Sequence, residues 1–345
     1  MLSGKKIFIT TGGGVGDLIM LTPSLYKLKN LYPSCKLSIL TKQQTVEVIN
    51  RIPWIDYVIG VKRGTFMSRF RVLPELSQQD IVICTDWQPH LLPWMVLFRI
   101  PLRAGYARKG KLLNNCLNRK LKNSVFTSEK YAAVTNAGII SEALGIKLEG
   151  DMTYCEESQP NIGEIESVKS KLEVMGIFAD TPFVLLAPYT SRYERDWNKK
   201  DIVALTQQIE QKYGIPVVIA GQTKEYNDKL VECPNNLLNQ TSFFELVWLV
   251  KEAKYLICSD SGPMHIAAAT RTPVIPLFNK DLPSRWAPKH DCYPIDLRVE
   301  RCNDFFDIHD YKLKYPNNIT DIRNITAEMV FDVFSRVEQV KQYLN

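Results

Sequence analysis

No stretch of the 345-residue sequence holds 18 consecutive apolar residues, about the length a bilayer-spanning helix needs. The nearest candidate, Leu91 to Leu102, is short and interrupted by Pro93, Arg99 and Pro101, so no spanning helix is expected. The chain runs from Lys5-Lys6 straight into Ile7-Phe8-Ile9-Thr10 without a long apolar region or a small-residue cleavage site, which predicts a cytoplasmic protein. Paired cysteines are missing too. The eight cysteines stand at positions 35, 84, 116, 155, 233, 258, 292 and 302 with no C-x-x-C among them, a pattern of neither a disulfide framework nor a zinc site. The four histidines form no H-E-x-x-H or i, i+4 pair, and no D-x-D triplet occurs; a tightly bound metal is not expected. With 17 Gly, 19 Pro, 45% hydrophobic and 23% charged residues, the chain is neither collagen-like nor disordered.

What is present is a repeated alternation of short apolar runs and longer 3.6-period segments. Lys5 to Thr10 reads as a strand, Asp17 to Tyr32 as one helix, and Leu37 to Thr41 as a strand. Strand-like runs follow at 57–61 and 80–84, with an apolar helix candidate at 91–100. Between Asp151 and Thr181 the sequence turns polar, and the same grammar then resumes with strands at 183–187, 217–220, 255–258 and 274–277. Gly214 and Pro216 mark a helix stop. This is α/β: two Rossmann-like doubly wound domains, at 1–165 and 180–325, followed by an amphipathic last helix within 326–345.

Ligands of such sheets gather at the carboxyl ends of the strands, and three segments stand there. Thr11-Gly12-Gly13-Gly14-Val15-Gly16-Asp17 follows the first strand. It departs from the dinucleotide fingerprint, because Asp17 occupies the place of the last glycine and no ribose-binding acid follows Leu40-Thr41-Lys42. Asp17 is therefore either a helix cap or a reactive carboxylate. Cys258 to His265 follows the strand at 255–258, with Ser261 as a candidate N-cap and Pro263 suited to a first helical turn. The amides of that turn suit an anion, although an ordinary strand-to-helix junction would look the same. Ala187 to Trp197 offers Thr190, Ser191, Arg192 and Arg195, hydroxyls and guanidiniums that suit a diphosphate or, taken alone, a solvated charged loop.

Taken together, Gly16-Asp17 with the following helix, Arg103-Ala104-Gly105-Tyr106, Arg195-Asp196-Trp197, Ser259 to Ala269 and Arg285-Trp286-Ala287-Pro288 resemble glycosyltransferase family 9, whose best-known members are ADP-heptose:lipopolysaccharide heptosyltransferases. The resemblance implies a GT-B arrangement with an interdomain cleft and a last helix that packs back on the first domain. It makes Asp17 the general base and places Gly16, Thr190, Ser191, Arg192, Asp260, Ser261, Gly262, Pro263, Met264 and His265 around the donor. Arg195 stands where family members commonly have lysine. The acid that often holds the ribose is represented only by a displaced Glu225.

Charge bears on the acceptor. Val61 to Val125 holds twelve Lys or Arg against Glu75, Asp80 and Asp86, a net +9 in a chain of +6. Such a segment is either a solvated basic face or an attraction for an anionic partner, with Arg103, Arg108, Lys109 and Lys111 as the candidate acceptor residues. An acidic glycan or glycolipid, or the inner membrane leaflet that carries it, fits this charge; nucleic acid does not, for want of a binding motif. The sequence thus predicts an inverting, metal-independent glycosyltransferase using a nucleotide sugar, ADP-heptose, as co-substrate and no other cofactor. Asp17 and Arg195 are its catalytic residues. The alternatives are a nucleotide-sugar epimerase or hydrolase on the same scaffold, or a non-catalytic sugar-nucleotide-binding protein.

Overall fold

The structure is a computed structural model that describes residues 2–62, 70–122, 130–223, 233–298 and 321–344. Arg63 and Arg69 of the basic segment, and Glu225, lie outside the described residues. The chain divides into two units, with the boundary between Ser158 and Gln159.

The first unit is a parallel sheet of β1 (Lys6–Thr10), β2 (Lys36–Lys42), β3 (Tyr57–Val61), β4 (Ile81–Cys84), β5 (Leu102–Tyr106) and β6 (Arg119–Leu121), in the order β3-β2-β1-β4-β5-β6. The second repeats it with β7 (Val184–Ala187), β8 (Val217–Gly221), β9 (Asn236–Leu238), β10 (Tyr255–Ser259), β11 (Val274–Phe278) and β12 (Ile295–Asp296), in the order β9-β8-β7-β10-β11-β12. β1, β4, β7 and β10 are all but wholly buried, as parallel strands covered on both faces must be, which is why they read as apolar runs without alternation. In each sheet the chain direction of strand addition reverses once, between β1 and β4 and between β7 and β10. These two switch points open the crevices where doubly wound sheets take their ligands.

Two expectations need correction. The single helix read at 17–32 is two, Val15–Ile19 and Thr22–Leu31. Pro23 cannot continue an α-helical hydrogen-bond ladder, so a new helix starts there, and the Thr22 hydroxyl donates to the Ile19 carbonyl at 2.7 Å. The unit boundary falls earlier than read. The polar helix Ile162–Val174, capped by Asn161, belongs to the second unit, where it packs on the helix Phe243–Glu252 through the Lys171–Glu245 ion pair and the Ser167 hydroxyl.

The last helix, Ala327–Leu344, buries apolar side chains in the second unit. Val330, Phe334 and Val337 are buried in the core of the second unit with Ile202, Leu205 and Tyr255. Phe334 lies edge-on to Tyr255 and Tyr213 at 5.3 and 5.5 Å between centroids. Three buried side chains of this size account for several kcal/mol, at about 1.5–3 kcal/mol each, while Val340 at the far end of the stripe is exposed.

Candidate functional site

At the first switch point Gly12 and Gly13 leave room for carboxylates. A Cβ on Gly13 would lie 2.1 Å from Cβ of Asp17, and one on Gly12 would lie 2.4 Å from Oδ2 of Asp86. At Gly13 no other residue fits, and at Gly12 a side chain would displace the Asp86 carboxylate. Asp17 sits in the first turn of Val15–Ile19, one residue after Gly16, and its Oδ2 accepts the Gly14 amide at 2.7 Å. It therefore caps its helix from within, and the half-exposed carboxylate is held in one orientation at the strand end.

Asp86, just beyond β4, accepts from the Thr10 hydroxyl at 3.2 Å and from the Gln88 amide at 2.7 Å. Neighbouring Trp87 lies under the Arg108 guanidinium, 5.4 Å from the ring centroid. Asp86 and Trp87 went unremarked in the sequence as site residues. The signal was available, because they follow a buried strand exactly as Asp17 does, but only the strand order shows that β4 borders β1.

The four candidate acceptor residues separate into two kinds. Arg108, Lys109 and Lys111 are exposed, in a loop pinned by Asn114, whose side chain accepts the Arg108 amide and donates to the Arg108 carbonyl. Arg103 is different. Its guanidinium donates to the carbonyls of Cys116 at 2.7 Å and Ile100 at 2.6 Å, which ties the ends of β5 to the neighbouring turns. That role is structural.

The second switch point holds a guanidinium between two carboxylates. Arg195 Nη1 donates to both the backbone carbonyl and Oδ2 of Asp260, each at 3.0 Å, and Nη2 donates to Asp281. The loop that carries Arg195 is pinned on all sides. Asp196 accepts the Thr190 amide at 2.6 Å, the Trp197 amide donates to the Pro188 carbonyl at 3.0 Å, and the fully buried Trp197 indole donates to the Ile325 carbonyl at 2.7 Å. The Thr190 hydroxyl closes a small turn by accepting the Arg192 amide and donating to its carbonyl. Ser191 and Arg192 project to the surface.

Beyond β10, Ser261 occupies the N-cap position of the helix Gly262–Thr270 but does not cap it: its hydroxyl donates to the Ser259 carbonyl at 3.0 Å. The cap reading of Ser261 is thus corrected in its chemistry, and the helix start keeps amides for an anion. Pro263 lies in the first turn, Met264 and His265 are buried, and Gly262 is half-buried. His265 lies edge-on to Trp286 at 6.0 Å, and its Nδ1 has no hydrogen-bond partner. Burial, reinforced by Arg195, pushes its pKa down to about 4, so the ring is neutral. Asp260 is pushed the other way: burial raises it to about 7, with Asp281 adding to the rise and Arg195 opposing it.

Asp281, which follows β11, is a further residue that sequence reasoning missed. So is Arg298, whose buried guanidinium pairs with Asp296 and donates to the Lys280 and Asp281 carbonyls at 2.8 and 2.7 Å. It fixes the loop that presents Asp281. Among the described residues, no three His, Cys, Asp or Glu side chains gather as a metal site.

The sequence profile of glycosyltransferase family 9 (heptosyltransferase) matches residues 70–311, well over half of the chain. Lipopolysaccharide heptosyltransferase 3 of Escherichia coli K12 is 24% identical over 79% of this chain and 82% of its own length. Lipooligosaccharide heptosyltransferase 2 of Haemophilus influenzae is 24% identical over 86% and 89%. In fold, the chain is similar to a family 9 glycosyl transferase from Veillonella parvula, with a TM-score of 0.75 at 16% identity over 97% of both chains. It is similar also to the E. coli ADP-heptose lipopolysaccharide heptosyltransferase II, with a TM-score of 0.73 at 17% identity over 98% and 99%. A profile match of this extent, over a chain that carries a carboxylate cluster at one switch point and a guanidinium at the other, settles the assignment: this chain belongs to glycosyltransferase family 9 and is a glycosyltransferase.

Proposed function

We propose that the protein moves a heptose from ADP-heptose to an anionic glycan of the lipopolysaccharide type, in a single inverting displacement that uses no metal. The observation that carries this reading is the pinned Arg195 beside Asp260 and the amide-bearing start of Gly262–Thr270, a strand end with donors for an anion in the sheet whose fold takes nucleotides. The donor sugar and base follow the names of the relatives.

In this reading the second unit holds the donor. Thr190, Ser191, Arg192 and the amide of Gly262 at the helix start take the diphosphate, and Asp260 takes sugar hydroxyls. Asp17 removes the proton of the acceptor hydroxyl as its oxygen bonds to the anomeric carbon. The bond from that carbon to the diphosphate breaks, and the nucleoside diphosphate leaves with its growing charge met by Arg195. One displacement on one face inverts the configuration. On the first unit Arg108, Lys109 and Lys111 attract the acceptor, and peripheral contact with an inner membrane leaflet belongs to the same reading. Arg103 is left out of the acceptor set.

A donor-release assay across ADP-, UDP- and GDP-sugars, with and without a lipopolysaccharide core acceptor, tests it. ADP released only with acceptor present supports transfer. Release of free sugar without acceptor identifies a hydrolase instead, and equal turnover of UDP- or GDP-sugars removes the ADP assignment.

A further inference from the structure

The first unit carries apolar side chains around the helix Leu92–Leu97 that its own core does not use. Leu92 and Met95 face inward, whereas Val96 is 45% and Leu97 65% exposed. Leu112, in the turn Leu112–Cys116 that packs against this helix, is 87% exposed. Beside them half-buried Trp94 and Phe98, which also pack on the core of this unit, lie 5.9 Å apart, and Trp94 meets the exposed Phe70 at 6.4 Å between centroids. Single exposed apolar residues are ordinary, but a contiguous group of this kind marks a contact surface.

The charge around it has one sign. Arg71 follows Phe70, Arg99 follows Phe98, and Lys109 and Lys111 precede Leu112; all four are exposed. From Trp87 to Ser128 the sequence contains no Asp or Glu, against eight Lys or Arg. Arg99 also holds a left-handed backbone, with φ of +54°, a place where glycine would be the unstrained choice. A long basic side chain is thus kept at the tip of the apolar turn despite its backbone cost.

We propose that this face, Phe70, Trp94, Val96, Leu97, Phe98 and Leu112 rimmed by Arg71, Arg99, Lys109 and Lys111, docks on the surface of an anionic lipid bilayer. Aliphatic side chains enter the headgroup boundary, indole and phenyl rings lie at headgroup level, and the basic rim pairs with anionic headgroups. A rim of one sign matches a surface of uniform negative charge, such as an anionic leaflet. Among the described residues no helix is long and apolar enough to cross a membrane, so the contact lies on the bilayer and does not span it. The inference extends the membrane contact of the proposed function and rests on that reading for its purpose, but its test uses neither donor nor acceptor, so the two fail separately.

The full chain is floated with vesicles of three parts phosphatidylethanolamine to one part phosphatidylglycerol, and with pure phosphatidylcholine vesicles, at low and high salt. The bound fraction should be about tenfold greater on the anionic vesicles and fall with salt. Leu97→Glu with Leu112→Glu should lower it about tenfold, and Arg71→Gln with Arg99→Gln should weaken it and flatten its salt dependence. Both double variants alter exposed side chains and should keep the wild-type melting temperature and transfer to a soluble acceptor. Equal flotation of wild type and the leucine variant overturns the proposal, as does equal binding to phosphatidylcholine or none to either vesicle. Self-association abolished by the leucine variant, without vesicle binding, would make the face an interface between copies.

Discussion

The two switch points have the same strand order and opposite chemistry. After β1 and β4, Gly12 and Gly13 clear space for Asp86 and Asp17. After β7 and β10, a loop pinned through Trp197 delivers Arg195 to Asp260. The scaffold supplies a pair of adjoining strand ends, and side-chain size and charge decide what each pair can do. Small residues let the backbone approach anionic side chains in one unit, and in the other a buried aromatic anchor fixes a cation. One arrangement suits taking a proton from an acceptor, the other suits receiving the charge of a leaving group.

The comparison is broken most sharply at Asp17. Asp17→Asn should cut turnover by about 10² to 10⁴, the usual weight of a general base, while nucleotide affinity measured by calorimetry stays the same. If turnover holds in Asp17→Asn, and Asp17→Ala lowers only the melting temperature, capping of Gly14 is its whole role, worth about 0.5–2 kcal/mol.

Arg195→Ala is expected next in size. A charge-assisted hydrogen bond is worth about 1.5–3 kcal/mol, so nucleotide affinity should fall roughly 10- to 150-fold with acceptor KM unmoved. A change confined to acceptor KM would reverse the roles of the units. A smaller effect separates Arg103 from Arg108. Arg108→Ala should raise acceptor KM a few-fold, fading at high salt as exposed charges are screened. Arg103→Ala should instead lower the melting temperature, because the Cys116 and Ile100 carbonyls lose their donor.

The smallest effect is on pH dependence, and it sharpens the contrast within the second unit. Asp260 is raised to about 7, so between about pH 4 and 7 the folded chain holds a proton that the unfolded chain has lost, and this contribution to stability falls as pH rises. His265 is lowered to about 4. The unfolded chain then binds the extra proton between about pH 4 and 6.5, and the contribution rises with pH. The two oppose each other in one window. Melting temperatures across pH 4 to 7 should therefore rise more steeply in Asp260→Asn and fall more steeply in His265→Gln than in the wild type; identical slopes in all three would show that neither group is shifted.

Much of the fold was legible because buried parallel strands leave uninterrupted apolar runs: β1, β7, β10 and β11 lie within a residue or two of where the sequence places them. The helix stop at Gly214 was legible for a steric reason, since the structure gives that residue φ of +65°. The two-helix break at Pro23 was written in the sequence and read through, because apolar spacing carried across it. The core partner of the last helix could not be read, as an amphipathic stripe states that it is covered and not by what. Within the site, residues beside an identified strand end were found, but Asp86 and Asp281 depend on which strands adjoin. Strand order arises from pairing across the sheet, and no local pattern encodes it.

The tie between Trp197 and Ile325 joins residues 128 positions apart, and the Ala327 amide is likewise accepted by Asp201 at 2.7 Å. A chain emerging from the ribosome can complete the first unit as soon as residues near 158 are out, but the arginine loop waits for the last segment to be made. Synthesis order therefore separates the two halves in time: the carboxylate end is assembled early, and the cationic end is finished only when the last helix closes over its core.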